Sequence, residues 1–403
     1  MRVALVHDWL TGMRGGERCL EAFLCIYPDA DIFTLVHVPG TTSAQIDRRV
    51  KGTSFLNRIP GIRRLYKAFL PFYPLAARSL DLRGYDLIIS LSHAAAKNIR
   101  VPAGVPHVCY CFTPMRYIWD QATSYLPGFL FYLALPLISY LRGWDVAGSR
   151  SVTRFVAISS FISARIRRYY GRSSVVIQPP VRMESENVET LTPAEQEVFS
   201  SSPGSFFLCA GALVPYKKID VAVRAFNALK LPLWIVGGGP ELNALKSLAG
   251  PNVRFFGRVS DAFLWESYRR CRALVFPGIE DFGIVPVECL AAGRPVIGVE
   301  AGGLKASIVG YRPGVDSKLV PEKHSGVFIP KERYGDPQAV IEAVESFCDV
   351  EHLFDGLTLR ARAREFSYSS FFAAWERFAS SLGLIPEKTR ASEMLSRAEG
   401  LEC

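Results

Sequence analysis

Two glutamates eight residues apart, Glu280 and Glu288, carry the clearest potential for ligand chemistry in this chain. Glu280 is followed by residues typical of a small turn that leads into the first turn of a helix: Phe282, Gly283, Ile284 and Val285. Such a turn offers unpaired backbone N–H groups and the positive end of a helix dipole, which suit a phosphate or an anionic sugar group. Glu288 can accept two hydroxyls of a ribose, and Glu280 can reach another sugar hydroxyl. The pattern therefore predicts a nucleotide-sugar site.

The alternative for this motif is an ordinary helix N-terminus with an acidic first turn, which the dipole also favours. The flanking sequence favours a ligand site, because residues 273–280 form a short apolar strand that runs into the acidic loop. Residues 292–298 are typical of a helix end followed by the next strand. The motif is thus expected at the carboxyl end of a strand, where open α/β sheets bind ligands.

The composition is that of a packed protein large enough for two domains, with 403 residues, 49% hydrophobic and 21% charged. The nine cysteines form no Cys-x-x-Cys pair, which indicates reduced, buried thiols in a cytosolic protein. The apolar start at 3–6 is broken by His7 and Asp8, so no signal peptide is expected. The longest apolar run, 129–141, contains Pro136 and is shorter than the ~20 residues that span a bilayer.

The charge is unevenly distributed. Residues 1–180 carry 22 Lys and Arg against 10 Asp and Glu, whereas residues 181–403 carry 25 against 28. We therefore expect the first half to face an anionic surface. Across 55–73 the basic residues alternate with large apolar ones, which is typical of a membrane-surface segment. An ordinary helix pair with a basic exposed face is the alternative, and the aromatic content argues against nucleic-acid binding.

Strand-like and helix-like segments alternate along the chain, which predicts βαβ units and parallel sheets. Expected strands of the first half are 2–7, 31–36, 86–91, 107–111, 154–158 and 174–178, with a helix at 17–26. Expected strands of the second half are 206–210, 233–236, 253–256, 274–276, 296–299 and 326–329. The expected helices are 219–229, 241–249, 261–270, 285–292, 337–348 and 368–382.

The predicted domains are 1–181 and 205–365, joined by a polar linker at 182–204. We expect the helix at 368–382 to pack back on the first domain, and the tail 385–403 to be flexible. The predicted fold class is α/β, with two parallel-sheet domains of Rossmann type.

Several stretches resemble one known family. They are His-Asp-Trp-Leu at 7–10, Gly-Gly-Glu-Arg at 15–18, the segment 85–94, Thr-Pro-Met-Arg-Tyr-Ile-Trp-Asp at 113–120, Val-Pro-Tyr-Lys-Lys-Ile-Asp at 214–220, Gly-Gly-Gly-Pro at 237–240, and 280–288. In this order they resemble the retaining glycosyltransferases of family 4, in a mannosyltransferase-like branch of bacterial polysaccharide biosynthesis. The resemblance implies the GT-B fold, in which two Rossmann-like domains face each other across a cleft.

The resemblance also implies roles for individual residues. Lys217 would neutralise the donor diphosphate, with Lys218 beside it, and Glu280 and the amides of 282–285 would hold the donor sugar. Glu288 would hold the ribose. The glycines implied near the ligands are Gly15 and Gly16, by the diphosphate and the acceptor, and Gly238 and Gly239, by the nucleotide.

Two positions depart from the family pattern. Ala212 stands where the family usually has an arginine, and Phe112 stands where it usually has a histidine aimed at the donor sugar. The candidates to replace the arginine are Arg116, Arg258 and Lys218. His93, at the start of a predicted helix, is the nearest candidate for the histidine, and we assign it a catalytic role with Lys217 and Glu280.

No metal site and no cofactor are expected, because Asp29 and Asp31 precede a strand and are typical of a solvated turn. The resemblance implies retaining transfer of a sugar, mannose from GDP-mannose, onto a lipid-linked glycan. The expected location is the cytoplasm, with peripheral binding to the inner face of the membrane left open. The alternatives are an epimerase or phosphorylase of nucleotide-sugars, and a non-catalytic nucleotide-sugar- or glycan-binding homologue.

Overall fold

The structure is a computed structural model that describes residues 1–120, 122, 128–183, 190–201, 205–385 and 394–398. The chain divides into two compact units. Unit 1 comprises Met1–Pro180 and Phe371–Leu401, and unit 2 has Val181–Ser370 as its body.

Unit 1 is built on a seven-stranded sheet of strand order β3-β2-β1-β4-β5-β6-β7. Its strands are β1 Val3–Leu10, β2 Asp31–His37, β3 Val50–Thr53, β4 Leu87–Ser92, β5 His107–Cys111, β6 Arg154–Ala157 and β7 Ser174–Val176. Each neighbouring pair is parallel. The helices are α1 Gly15–Ile26, α2 Ala44–Arg49, α3 Ile62–Leu65, α4 Tyr73–Arg78, α5 Phe129–Ser149 and α6 Ser160–Tyr170. Three 3₁₀ helices lie at Phe55–Arg58, Tyr66–Phe72 and Ala96–Asn98.

Unit 2 has a second seven-stranded parallel sheet, of order β10-β9-β8-β11-β12-β14-β13. Its strands are β8 Phe207–Ala210, β9 Leu233–Val236, β10 Val253–Gly257, β11 Leu274–Phe276, β12 Val296–Val299, β13 Gly310–Tyr311 and β14 Gly326–Ile329. The helices are α7 Pro193–Ser200, α8 Ile219–Leu229, α9 Leu242–Leu248, α10 Asp261–Arg270, α11 Ile284–Ala291, α12 Leu304–Ser307, α13 Pro337–Val350 and α14 Gly356–Arg364. The two sheets confirm the predicted α/β class.

The central strands are buried along their length, as expected of parallel strands covered on both faces by helices. Local signals set the helix ends. The Ser159 side chain accepts the Ile162 N–H at the start of α6, and Gly171 ends that helix with φ +64°. Ser260 caps α10 in the same way, through the Phe263 N–H. These caps satisfy amides that a helix terminus otherwise leaves unpaired.

A last helix, α15 Tyr368–Ser380, places residues 371–380 in unit 1. Its Trp375 is fully buried, stands edge-on to Phe23 at 4.6 Å between ring centroids, and donates from Nε1 to the Tyr27 hydroxyl at 3.1 Å. The core of unit 1 therefore includes a segment that follows unit 2 in the sequence.

The segments predicted as linker and tail are partly described. Within 182–204, α7 begins with a capping box between Thr192 and Glu195, while 184–189 and 202–204 lie outside the described residues. Within 385–403, residues 394–398 are helical and Met394 is buried. Residues 386–393 and 399–403 lie outside the described residues.

Asp145, near the end of α5, is the centre of a buried polar network. Its carboxylate accepts from Asn98 Nδ2 at 3.1 Å, Trp119 Nε1 at 2.9 Å and the Tyr170 hydroxyl at 2.8 Å, and it forms an ion pair with Lys97. These donors offset the cost of burying the carboxylate. The network fastens α5 to the segment 97–98 that follows β4.

The eight cysteines among the described residues have free thiols, and all but Cys348 are buried. Burial raises the pKa of Cys25 and of Cys209 to about 12, so these thiols stay protonated. Within the described part of the chain, no helix combines the length and the apolar character needed to cross a bilayer.

Candidate functional site

Both sheets reverse their strand order near the middle, and the predicted site residues lie at these two points. In unit 1 the order reverses between β1 and β4, and in unit 2 between β8 and β11. Open parallel sheets bind ligands outside the carboxyl ends of the strands at such a switch point. Unit 2 contains ten of the predicted site residues: Lys217, Lys218, Gly238, Gly239, Glu280, Phe282, Gly283, Ile284, Val285 and Glu288. Gly15, Gly16 and His93 belong to unit 1.

Lys217 and Glu280 form the charged centre of unit 2. Lys217 ends the 3₁₀ helix Pro215–Lys217 after β8, and its Nζ lies 2.7 Å from Glu280 Oε1. The two side chains are 12% and 20% exposed. Burial lowers the pKa of Lys217, but the Glu280 carboxylate outweighs it, so the pKa is raised and the ammonium stays charged. The pair therefore holds a fixed cation at the end of β8.

Two glycines make room for this lysine. A Cβ on Gly211, where φ is +127°, would lie 2.6 Å from Lys217 Nζ, and a Cβ on Gly278 would lie 2.7 Å from Lys217 Cα. Both distances are too short for a real carbon atom. Sequence reasoning missed both residues, although each is the glycine that follows one strand of the switch point.

Glu288 lies in α11 and is 8% exposed. Its Oε2 accepts the Tyr268 hydroxyl at 3.0 Å from the neighbouring helix α10. Burial, with Glu288 nearby, raises the pKa of Tyr268 well above its ordinary value, so the phenol keeps its proton and donates it. Tyr268 thus orients Glu288. Sequence reasoning missed it, because twenty residues and a strand separate the two positions.

The acidic loop is shaped by backbone contacts. Gly283 caps α11 with φ +93°, and no described side chain caps this helix, so the amides of Ile284 and Val285 remain for a ligand. Phe282 is buried against Phe366, with ring centroids 5.7 Å apart, so it can offer only its backbone. The Gly303 N–H donates to the Glu280 carbonyl at 2.7 Å and ties the loop to the one after β12.

The contacts of Lys218 and of the glycine loop after β9 are mainly with the protein itself. Lys218 has φ +53°, an uncommon conformation for a lysine, and its Nζ lies 6.0 Å above the Tyr334 ring. A Cβ on Gly239 would lie 2.2 Å from the Leu213 carbonyl oxygen, whereas one on Gly238 would make ordinary contact with Arg258 at 3.6 Å. Gly239 is therefore required by packing, and Arg258 is the proposed replacement cation that lies beside the loop.

In unit 1 the buried carboxylate of Asp8 organises the switch point. Strand β1 continues to Leu10, beyond the predicted end, and so includes Asp8. Asp8 accepts the backbone N–H groups of residues 93–96 at 2.5–3.0 Å and lies 3.0 Å from His93 Nδ1. Burial alone would raise the pKa of Asp8, but His93 and these donors hold it well below its ordinary value.

The sequence predicted that His93 lies at the start of a helix, and this prediction was wrong. His93 lies in the loop after β4, ahead of the 3₁₀ helix Ala96–Asn98, because the amides of 93–96 turn inward to Asp8. Its ring centroid lies 6.5 Å from that of Phe112 and 5.9 Å from that of His7. His93 is thus adjacent to the position where the family pattern has its histidine.

Gly15 and Gly16 form the first turn of α1 at the same switch point. The helix begins after Arg14, and no side chain in the described part of the chain caps it. His7, on β1, is 1% exposed and lies against Gly16. Gly16 is therefore placed beside His7, whose ring centroid lies 5.9 Å from that of His93.

Among the described residues, no group of three or more His, Cys, Asp or Glu side chains is arranged to hold a metal. The Asp29 side chain is 97% exposed, and Asp31 accepts the Tyr85 hydroxyl at 2.6 Å.

Comparison with known proteins places the charged centre inside a known domain. Residues 204–348 match the family model described as Glycosyl transferases group 1. The O-antigen chain mannosyltransferase C of Escherichia coli is 29% identical over 196 residues, which cover 47% of this chain and 48% of that protein. A GDP-mannose-dependent alpha-(1-6)-phosphatidylinositol monomannoside mannosyltransferase of Mycobacterium tuberculosis is 26% identical over 210 residues, 44% of this chain and 54% of that one. The chain thus spans about half the length of the curated relatives it matches.

Solved structures resemble the whole chain at low identity. The match to the structure of Anabaena HepE in complex with UDP has a TM-score of 0.66 at 16% sequence identity. It covers 94% of this chain and 100% of the HepE chain. Sucrose-phosphate synthase from Thermosynechococcus elongatus has a TM-score of 0.67 at 16% identity, covering 95% and 99%. Together with the two parallel sheets, these likenesses confirm the predicted GT-B fold. Within unit 2, residues 204–348 are thus similar to the glycosyl transferases group 1 domain.

Proposed function

We propose that the protein is a retaining glycosyltransferase that binds a nucleotide-sugar in unit 2. The observation that carries the proposal is the arrangement at the end of β8 and β11, where Lys217 pairs with Glu280 and Tyr268 orients Glu288. All four residues lie within the matched family domain. Glu288 holds the ribose hydroxyls, Lys217 faces the diphosphate, and Glu280 with the α11 amides holds the sugar.

The chemistry follows from a leaving group that gains negative charge. In the proposed step, the acceptor hydroxyl oxygen bonds to the anomeric carbon on the face from which the diphosphate leaves. The carbon–oxygen bond to the diphosphate breaks with its electron pair, and the hydroxyl proton passes to the leaving phosphate oxygen. The Lys217 ammonium is already fixed where this charge develops, so it stabilises the transition state without reorganisation. No metal ion or other cofactor takes part in this proposal.

GDP-mannose is the proposed donor, and a lipid-linked glycan the proposed acceptor. Support comes from the relatives, since one is named an O-antigen chain mannosyltransferase and another a GDP-mannose-dependent mannosyltransferase. The HepE structures contain UDP or UDP-glucose, so a UDP-sugar is the alternative donor to test.

The donor site is tested by thermal-shift titration with GDP-mannose, UDP-glucose and dTDP-glucose. We expect one donor to raise the melting temperature selectively, and Glu288→Ala to weaken its binding by about 10- to 150-fold, because hydrogen bonds to a charged group contribute about 1.5–3 kcal/mol. Glu345→Ala, on the exposed face of α13, is the matched control. Equal affinity in both variants would contradict the role of Glu288.

A non-catalytic sugar-binding protein is the second candidate, and Phe112 favours it. Its apolar ring lies next to His93 where the family pattern has a histidine. This candidate predicts donor binding without sugar transfer, and gain of transfer in Phe112→His. Release of GDP or UDP in the presence of acceptor lipid extract, absent without it, would exclude it and would also exclude an epimerase or phosphorylase.

We also propose that unit 1 binds an anionic membrane surface. Its large apolar side chains on α3–α5 and the adjoining 3₁₀ helix are unusually exposed, at 48–71%: Leu65, Phe72, Leu75, Phe129, Tyr132, Leu133 and Tyr140. Residues 50–80 add six cations and no acid: Lys51, Arg58, Arg63, Arg64, Lys67 and Arg78. Exposed aromatic and cationic side chains together suit the headgroup layer.

Co-sedimentation with vesicles tests this surface. We expect binding to phosphatidylglycerol vesicles that weakens with salt, and weaker binding to phosphatidylcholine vesicles. A Tyr132→Ser, Leu133→Ser double variant should lose most of the binding. Val315→Ser removes an apolar residue of unit 2 that is equally exposed, at 71%, and should bind as the native chain does. Equal binding by both variants would overturn the assignment of the surface.

A further inference from the structure

The carboxylate of Glu280 has a single polar partner among the described residues, the ammonium of Lys217. Glu280 Oε1 lies 2.7 Å from Lys217 Nζ, and apart from this ion pair no described group donates to that oxygen. The carboxylate of Asp8, in contrast, accepts four backbone amides. Within the described part of the chain, the polar contacts that hold the Glu280 carboxylate therefore come from Lys217 alone.

The backbone of Glu280 is fixed, although its side chain has only this one partner. The Gly303 N–H donates to the Glu280 carbonyl at 2.7 Å. A Cβ on Gly302 would lie 2.5 Å from the same oxygen, which is closer than a carbon atom can approach. The Glu280 side chain is partly exposed. Rotation about its side-chain bonds can therefore redirect the carboxylate while the loop that carries it stays in place.

Lys217 has less room to move than Glu280. A Cβ on Gly211 would lie 2.6 Å from Lys217 Nζ, and one on Gly278 would lie 2.7 Å from Lys217 Cα. The ammonium thus lies directly against the backbone of Gly211, and its side chain is less exposed than that of Glu280. When a ligand approaches the pair, Glu280 is therefore the member that can move.

A diphosphate and the Glu280 carboxylate require the same cation. The diphosphate brings further negative charge to the ion pair, and like charges repel more strongly in a partly buried site than in water. Among the described ion pairs, Lys217 is the only cation within reach of Glu280. A diphosphate that takes over the ammonium therefore leaves behind a carboxylate that needs a new hydrogen-bond donor.

A sugar donor and its spent nucleotide differ in what they offer to this displaced carboxylate. A nucleotide-sugar carries sugar hydroxyls, which can donate hydrogen bonds to a carboxylate. A nucleoside diphosphate without the sugar ends in phosphate oxygens, which are negatively charged and accept hydrogen bonds. The displaced Glu280 carboxylate is thus compensated in the first complex and repelled in the second.

We propose that Glu280 is a mobile counter-ion that makes the site discriminate against the spent nucleotide. In the empty site Glu280 neutralises Lys217. When a nucleotide-sugar binds, Glu280 yields the ammonium to the diphosphate and turns to a hydroxyl of the sugar. After transfer of the sugar, the carboxylate competes with the remaining nucleoside diphosphate for Lys217 and promotes its release. This inference rests on the proposed glycosyltransferase function, and it adds a role that sugar binding alone does not require.

Isothermal titration of the full chain tests the proposal, with GDP and UDP as the spent nucleotides and GDP-mannose and UDP-glucose as the donors. Glu280→Gln keeps the size of the side chain and removes its charge. We expect this variant to bind the nucleoside diphosphate of the preferred donor about tenfold more tightly than the native chain does, and the donor itself no more tightly. Unchanged or weaker binding of the diphosphate, or equal tightening of the donor, would overturn the proposal.

Glu300→Gln is the matched control for the loss of one negative charge. Glu300 follows β12 at the same edge of the sheet, and its Oε1 lies 3.5 Å from Lys305 Nζ. Its substitution should leave both affinities within about twofold of the native values, because solvent screens a charge that does not contact the ligand. Equal tightening by Glu300→Gln and Glu280→Gln would overturn the proposal, since the overall charge of the unit would then set the affinity.

The rates of binding separate a local contact from long-range attraction. Surface plasmon resonance with the same nucleoside diphosphate should show that Glu280→Gln slows its dissociation and leaves its association rate nearly unchanged. A gain confined to the association rate would contradict competition for Lys217. Should Glu280→Gln fail to fold, Glu280→Ala serves in its place with the same expected results, because it also removes the charge.

The native titrations distinguish failure of this inference from failure of the proposed function. If neither a nucleotide-sugar nor a nucleoside diphosphate binds to the native chain or to Glu280→Gln, the glycosyltransferase proposal falls and the counter-ion role falls with it. If both ligands bind and Glu280→Gln leaves the ratio of their affinities unchanged, only the counter-ion role is wrong.

Discussion

The two switch points share a topology and differ in how they handle charge. In unit 2, a cation and two carboxylates lie at the end of β8 and β11, and Lys217 is paired with only one of those carboxylates. In unit 1, the charge of Asp8 is met by four amides and by His93, and His7 is neutral. The same edge of a parallel sheet thus holds a partly paired set of charges in one unit and a buried, fully compensated carboxylate in the other.

The two switch points also differ in whether their charged side chains stabilise the fold or remain available to a ligand. Asp8 is fully buried and binds the backbone, so its loss should be felt first in stability. Lys217 and Glu288 are positioned by other residues, namely two glycines and Tyr268, and keep part of their side chains exposed. Their substitution should therefore lower ligand binding or activity more than the free energy of unfolding.

Asp8→Asn should produce the largest effect, a loss of about 3–5 kcal/mol in the free energy of unfolding, because the buried carboxylate that binds four backbone amides loses its charge. The pKa of Asp8 is lowered in the folded chain, so its contribution is present above about pH 4 and is lost as the pH falls below that value. Urea denaturation between pH 3 and pH 7 measures both, with a shallower acid slope expected in the variant.

Asp81→Asn is the control for that measurement. The Arg83 side chain lowers the pKa of Asp81 to about 2, but this pair is on the surface, where solvent screens it. A change as large as that of Asp8→Asn would show that burial is not what distinguishes the two carboxylates.

Lys217→Ala should lower kcat by about 10²- to 10³-fold, the usual loss when one donor to a developing anion is removed. Lys218→Ala is a matched neighbour whose ammonium lies over Tyr334, and a much smaller loss is expected. Steady-state transfer assays with each variant give the comparison. Equal losses would mean that the two lysines share the diphosphate.

Tyr268→Phe should have the smallest of these effects. It removes one hydroxyl and keeps the ring, so the donor affinity should fall about fivefold, for a hydrogen bond of about 1 kcal/mol. Isothermal titration measures the change, and Tyr311→Phe at the edge strand β13 provides the control. An affinity equal to that of the native chain would show that Glu288 holds its orientation without Tyr268.

The sequence was most informative where a strand is buried and short. The strands Leu233–Val236, Leu274–Phe276, Val296–Val299 and Gly326–Ile329 were predicted with the bounds that the structure shows. The edge strands β3 and β13 were missed, because Val-Lys-Gly-Thr is half polar and β13 has only two residues. The sequence showed helix α5 only as an apolar run. Pro136 lies within it, and its apolar residues do not keep to one face, so the usual helical periodicity is absent.

The candidate site was predictable only in its local parts. Glu280, Glu288 and the turn between them are close in sequence, and the structure keeps them together. The contact of Asp8 with the amides of 93–96 spans more than eighty residues and depends on the pairing of β1 with β4. Gly278 and Tyr268 likewise act through neighbours on other elements, which no spacing rule reveals.

The return of α15 to unit 1 gives the chain an order of assembly. A ribosome makes residues 181–370 before it makes Trp375, which packs beside Phe23 and Tyr27. The inserted domain is therefore synthesised in full before the domain that starts first receives its last helix, α15. Until then unit 1 carries an uncovered aromatic pocket, and a nascent chain halted before residue 371 would offer that pocket to chaperones and proteases.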